Sequence, residues 1–153
     1  VSSEWIRDLI EKSKLIQSNS ARSDVARAVR SRPDTIGDEA MLKMLLDWAS
    51  GEDNPKRETP EEIDTVILPN TNDHNDGWVH RAINTVRGNA LEALIFSALD
   101  RERPRTEFLW KVIQTFVHDP SITMRCVALN GLACWQNETT DKQSTISLFR
   151  QTV

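Results

Sequence analysis

Residues 83–99 read INTVRGNALEALIFSAL, and the reading of this stretch decides the fold. Its apolar residues Ile83, Val86, Ala90, Leu94 and Ala98 recur at three- and four-residue steps, flanked by Leu91, Ile95 and Leu99. That period predicts a helix with an apolar face wide enough to be buried on two sides. The chain then repeats the pattern. A shift of 38 residues carries Thr85, Arg87, Ala90, Leu91 and Leu94 onto Thr123, Arg125, Ala128, Leu129 and Leu132. Self-similarity at such a period is the signature of stacked helical repeats.

A second match sharpens the first. Residues 39–49, EAMLKMLLDWA, align without gaps on residues 107–117, EFLWKVIQTFV, with Glu39/Glu107 and Lys43/Lys111 identical. Each unit thus has a first helix followed by a second helix carrying Arg-x-x-Ala-Leu. Val117 lies 8 residues before Arg125, whereas Ala49 lies 38 before Arg87, so the first unit holds an insertion of 30 residues. Residues 51–77 supply it, with Pro55, Pro60, Pro69 and an Asn/Asp cluster over 70–76. They read as a long inserted loop, with strand-like residues at 65–68 that have no evident partner. Connections of this length are usually functional or disordered.

The remaining elements follow from caps and breakers. Residues 3–16 form an amphipathic helix with Trp5, Ile6, Leu9, Ile10 and Ile16 inward. Residues 18–20 break it, and 24–30 make a short helix with Val25, Ala28 and Val29 inward. Pro33 stops that helix, Asp38 caps the helix 39–50, and Gly51 closes it as a left-handed C-terminal residue. Pro104 starts 105–117; Asp119 is the expected N-cap and Pro120 suits the first helical position, with the helix 121–136 following. A last helix begins near Asp141. The expectation is an all-α stack of about six or seven helices, a single helical-repeat segment over residues 1–153 with the inserted loop at 51–77. The start at Val1 and the end inside the amphipathic run 144–153 read as a segment of a longer chain.

Composition excludes several classes. No run approaches the roughly 18 apolar residues of a membrane span, and no secretory leader is recognisable. Cys126 and Cys134, eight apart on one predicted helix, are separated by about 12 Å of rise and cannot form a disulfide. They read as small core residues of a reducing, cytoplasmic compartment. A net charge of −4 gives no general attraction to nucleic acid.

The segment Asp119-Pro120-Ser121-Ile122-Thr123-Met124-Arg125-Cys126-Val127-Ala128-Leu129 resembles the inter-helix turn and second helix of HEAT repeats. The resemblance covers about residues 38–136. It implies a HEAT-like right-handed α-solenoid in which the turn Asp and the helix Arg pair between neighbouring units, giving Asp119, Arg87 and Arg125 structural roles. An Arg at the start of a buried helix needs such a partner to offset its desolvation. The first unit departs from the pattern, because the place six residues before Arg87 is Arg81. Asp73 or Asp76 is then expected to substitute.

Residues Ile83-Asn84-Thr85-Val86-Arg87-Gly88-Asn89-Ala90 resemble a recurrent Ile-Asn-Ser-Val-Arg-Gly-x-Ala segment in the helical-repeat regions of bacterial STAND-type NTPases of antiviral defence. That likeness implies repeats that follow an ATP-hydrolysing core and recognise a foreign protein, such as a phage protein. Gly88 costs a helix interior roughly 1 kcal/mol, so the close approach of another element is its expected cause.

No chemistry is evident in this segment. It has no G-x-x-x-x-G-K-[ST] and no motif of nucleophilic catalysis. An NTPase of the parent chain would lie elsewhere. His74, His80 and His118 lack the spacing of a metal site and read as exposed loop residues, so neither metal nor cofactor is expected. Arg101, Arg103 and Arg105 alternate with Asp100, Glu102 and Glu107, a self-paired surface. Arg22, Arg27, Arg30 and Arg32 are the best place for a nucleic-acid contact.

Trp5, Trp48, Trp110 and Trp135 fall on apolar faces and read as core. Trp78, at the exit of the insertion, either anchors a protein partner together with His80, Arg81, Asp73 and Asp76, or staples the loop to the helices; the staple is preferred. The expected function is that of a protein-binding scaffold or sensor. A nucleic-acid-binding stack and a purely structural spacer are the alternatives.

Overall fold

The computed structural model describes Asp8, Glu11, Lys12, residues 18–31, 39–51, 56–67, 77–99, 106–136 and Arg150. Among the described residues the chain forms seven helices and no strand: α1 (Asn19–Arg30), α2 (Glu39–Ala49), α3 (Pro60–Ile67), α4 (Trp78–Ile83), α5 (Val86–Ala98), α6 (Thr106–Phe116) and α7 (Ile122–Gln136). All regular structure among the described residues is helical. Asp8, Glu11 and Lys12 of the predicted first helix are helical and exposed, with an i, i+4 ion pair between Asp8 and Lys12 at 2.6 Å. The apolar face of that helix lies outside the described residues, as do Pro33, Asp38 and Pro104.

The centre is α5. It packs against α1, α2, α4, α6 and α7, and its residues from Val86 to Ala98 are buried apart from half-buried Phe96. A helix apolar over most of its circumference belongs inside. Leu91 and Leu94 are fully buried, in one core cluster with Met41 and Leu45 of α2, Ala26 and Val29 of α1, and Leu109, Ile113, Met124 and Leu132 of α6 and α7. Each such Leu contributes about 1.5–3 kcal/mol of burial. The two aligned sequence units are both present as helix pairs: α2 packs on α5, and α6 packs on α7.

Several boundaries differ from the sequence expectation. The stretch 83–99 is not one helix: α4 ends at Ile83, and α5 begins after Thr85. The corner is fixed locally. Thr85 Oγ1 accepts from the Gly88 amide at 3.0 Å, and Asn89 Nδ2 donates to the carbonyls of Ile83 and Thr85 at 2.8 Å each. Helix α1 starts five residues earlier than expected, because Ser18 caps it by accepting from the Ala21 amide. Ala26 rather than Ala28 is then the inward alanine. Gly51 does not take a left-handed backbone; Gly77, before α4, does, with φ 98°. At α7 the N-cap is Ser121, whose carbonyl accepts from Arg125 and whose hydroxyl accepts from the Met124 amide. Asp119 instead holds the turn from outside the helix.

The insertion carries regular structure. Thr65, Val66 and Ile67, read as strand-like, belong to α3. A capping box overrides their β-branching: the Thr59 amide donates to Glu62 at 2.8 Å, and the Glu62 amide donates to the Thr59 hydroxyl at 3.3 Å. Pro60 sits at the first helical position, where its missing amide is harmless.

Candidate functional site

Two electrostatic junctions and one exposed ridge surround the insertion. The first junction is Arg87. It is buried at the start of α5, where its Nε donates to the Ala49 carbonyl at 2.8 Å and its guanidinium pairs with Asp119. One side chain thereby satisfies an end carbonyl of α2 and the turn carboxylate before α7, with Arg87 only 6 % and Asp119 only 9 % exposed. The other oxygen of Asp119 accepts from the Ser121 amide at 2.9 Å. The carboxylate for Arg87 therefore comes from the following turn; Asp73 and Asp76, the expected substitutes, lie outside the described residues. Arg125 is half-buried on α7.

Gly88 lies one residue beyond this junction. A Cβ built there would stand 2.2 Å from the Ala82 carbonyl oxygen and 2.6 Å from Ala82 Cα. The backbone of α4 crosses at that point, which is the close approach its sequence position implied.

The second junction was not foreseen. Glu58, in the insertion just before α3, is buried with 8 % exposure. Its carboxylate accepts from the Ser121 hydroxyl at 2.7 Å, the Ile122 amide at 2.6 Å and the Thr123 amide at 3.0 Å. These groups open α7, where exposed amides and the helix dipole favour negative charge. Burial alone would raise the Glu58 carboxyl; hydrogen bonding by Thr123, Ser121 and Ile122 outweighs it and holds the group below the usual range. Four residues on, Glu62 reaches Arg81 of α4 at 3.4 Å. The Thr59 amide holds Glu62 below the usual carboxylate range, against a small opposing effect of burial and with help from Arg81.

The ridge is α4, between α3, α5 and α7. Trp78 is half-buried and packs against the core, as a staple would. Its neighbour Val79 is 50 % exposed. His80 is a half-buried helix residue rather than an exposed loop residue, and its Nε2 lies 2.9 Å from Asn84 Nδ2. Arg81 is also half-buried. Helix α4 thus carries Trp78, His80 and Arg81, with Trp78 and Arg81 one turn apart and His80 on another face. His118 is exposed, in the turn before α7, and His74 lies outside the described residues.

Elsewhere on α5, Arg30 of α1 pairs with Glu92 at 2.6 Å and stacks over Phe96 at 4.7 Å. Burial raises the Glu92 carboxyl despite the attraction of Arg30. Arg27 pairs with Asp24 at 3.1 Å, and Arg22 lies 6.0 Å over the Trp48 ring. Of the basic strip, Arg22, Arg27 and Arg30 are thus engaged within the molecule, and Arg32 lies outside the described residues. Cys126 and Cys134 are free and half-buried, and burial pushes the Cys126 thiol up.

Among the described residues, no group of three or more His, Cys, Asp or Glu side chains is placed to hold a metal ion, and no helix is long and apolar enough to cross a membrane. No known protein family, curated protein or solved structure matches this chain.

Glu58, Glu62, Ser121 and Val79 are the residues that sequence reasoning missed. The pattern Thr59-x-x-Glu62 was a visible capping-box signal. Nothing local marks Glu58, whose partners stand 63 to 65 residues away.

Proposed function

We propose that this chain is a protein-binding scaffold, a HEAT-like α-solenoid segment whose insertion and α4 ridge contact a protein partner. The observation that carries the reading is the Arg87 junction. It joins the end of α2 in one unit to the turn before α7 in the next, which is what paired neighbouring repeats require. Helix α3 of the insertion packs on α4 and α7 of that frame, and α4 carries half-buried Trp78 and exposed Val79. Binding residues are commonly placed on loops held by a rigid scaffold, and aromatic and Arg side chains commonly anchor such contacts. The narrower proposal is a cytoplasmic sensor segment of a bacterial antiviral STAND-type NTPase. It rests on the resemblance of residues 83–90, with a phage protein as partner and any ATP hydrolysis outside this segment.

Site-specific photo-cross-linking tests the reading. A photoreactive residue at Val79 should give a discrete adduct with one protein in phage-infected cells. The same residue at exposed Ala28 of α1 should give none. Equal labelling at both positions, or none at Val79, would remove the proposed surface.

A further inference from the structure

We propose that residues 56–67 form a releasable strap, with the Glu58 carboxylate as its catch. Among residues 56–64, whose burial is described, Glu58 alone is buried; Glu62 and Ile63 are half-buried and the rest are exposed. This differs from the body, where α5 is held by fully buried Ala90, Leu91, Ala93 and Leu94. Over residues 56–64 the described contacts to the body are polar: Glu58 on the first turn of α7, and Glu62 on Arg81.

Both sides of the catch are organised independently of it. Within the strap, Thr59 and Glu62 cap α3 through a reciprocal pair of hydrogen bonds that involves no other element. Glu62 uses Oε2 for that pair and Oε1 for Arg81, so losing Arg81 leaves the cap intact. Within the body, α7 keeps Ser121 as its N-cap, and Asp119 keeps Arg87 and the Ser121 amide. Release therefore frees an eight-residue helix, too short to persist alone in water, from an α7 that keeps its own cap. Water can solvate the freed Glu58 carboxylate, the Ser121 hydroxyl and the amides of Ile122 and Thr123, so the open state carries no orphaned buried group. Opening would uncover the α4–α7 surface around Arg81 and Ser121. Low-stability units of this kind open below the global unfolding transition. The strap opens whether or not a partner binds there.

Native-state hydrogen exchange tests this directly. In the wild-type chain, amides of residues 63–67 should exchange together with those of Ile122 and Thr123, with protection at least about tenfold below that of residues 91–98 of α5. In Glu58→Gln, a neutral amide replaces the charge-assisted acceptor. Protection at the strap and at Ile122 and Thr123 should then fall by a further ~10-fold or more, with α5 unchanged. Equal protection of the strap and α5 in the wild type would overturn the proposal. So would a Glu58→Gln chain in which α5 loses as much protection as α3, or one in which the strap loses none.

Discussion

Arg87 donates to the carbonyl of Ala49 and pairs with Asp119, so one guanidinium closes α2 and fixes the turn that launches α7. Removing it leaves a carboxylate that is 9 % exposed facing the core edge without its cation. Arg87→Met should destabilise the chain by about 3–5 kcal/mol, read from urea unfolding. Asp119→Asn should cost less, because the side-chain carbonyl that replaces the carboxylate can still accept from the Ser121 amide. A double-mutant cycle between the two positions should show coupling of ~1 kcal/mol or more; strictly additive losses would mean that the pair is not a structural unit.

Two glycines in helices make a contrasting pair. Gly88→Ala gains about 1 kcal/mol of helix propensity, but its Cβ would meet backbone atoms of Ala82 at 2.2–2.7 Å. The α4–α5 corner must then shift, and a net loss of roughly 1–3 kcal/mol is expected. At Gly131 the nearest atoms to a Cβ are Ile95 Cδ1 and Cγ2 at 2.8 Å, side-chain atoms that must shift by less than a backbone crossing would, although Ile95 is stiff at χ1. The thermal midpoint of Gly131→Ala should fall distinctly less than that of Gly88→Ala.

Two buried carboxylates should respond to acid in opposite directions. Glu58 is held below its ordinary value of 4.5, so its stabilisation is full above that value and is lost as pH falls through the lower folded value. The stability deficit of Glu58→Gln should therefore be largest at neutral pH and shrink in acid. Glu92 is raised above 4.5 by burial. Its protonated form is favoured in the fold, so its contribution is most favourable below 4.5 and declines as pH rises through the raised folded value. Glu92→Gln should gain stability relative to wild type as pH rises through that window. Unfolding free energies measured across the acid range check both signs.

Much of the frame was legible because its signals are local and repeated. The apolar period of residues 86–98, the match of 39–49 to 107–117, and the Asp119/Arg87 residue types all lie on the surface of the sequence. The break at Asn84–Thr85 was hidden because Ile83 continues the helical apolar period across a corner made by Thr85 and Asn89 side chains. Helix α3 was hidden because Thr65, Val66 and Ile67 look like a strand, while the box at Thr59 and Glu62 that starts the helix is a weaker compositional signal. Glu58 was not accessible to sequence reasoning. Its role exists only once residues 63 to 65 positions apart meet.

Val79 offers a surface substitution that separates binding from folding. At 50 % exposure, Val79→Glu should change stability by no more than about 0.5 kcal/mol while weakening partner binding by at least ~10-fold. A variant that binds normally would move the contact away from the α4 ridge.

The central claim is that the insertion and its ridge carry partner binding. The most direct measurement is the affinity of the purified protein captured at Val79 for the intact chain and for a chain lacking residues 52–73. The deletion should weaken binding by about tenfold or more, with α5 still protected from hydrogen exchange. An unchanged affinity in that folded deletion would contradict the account.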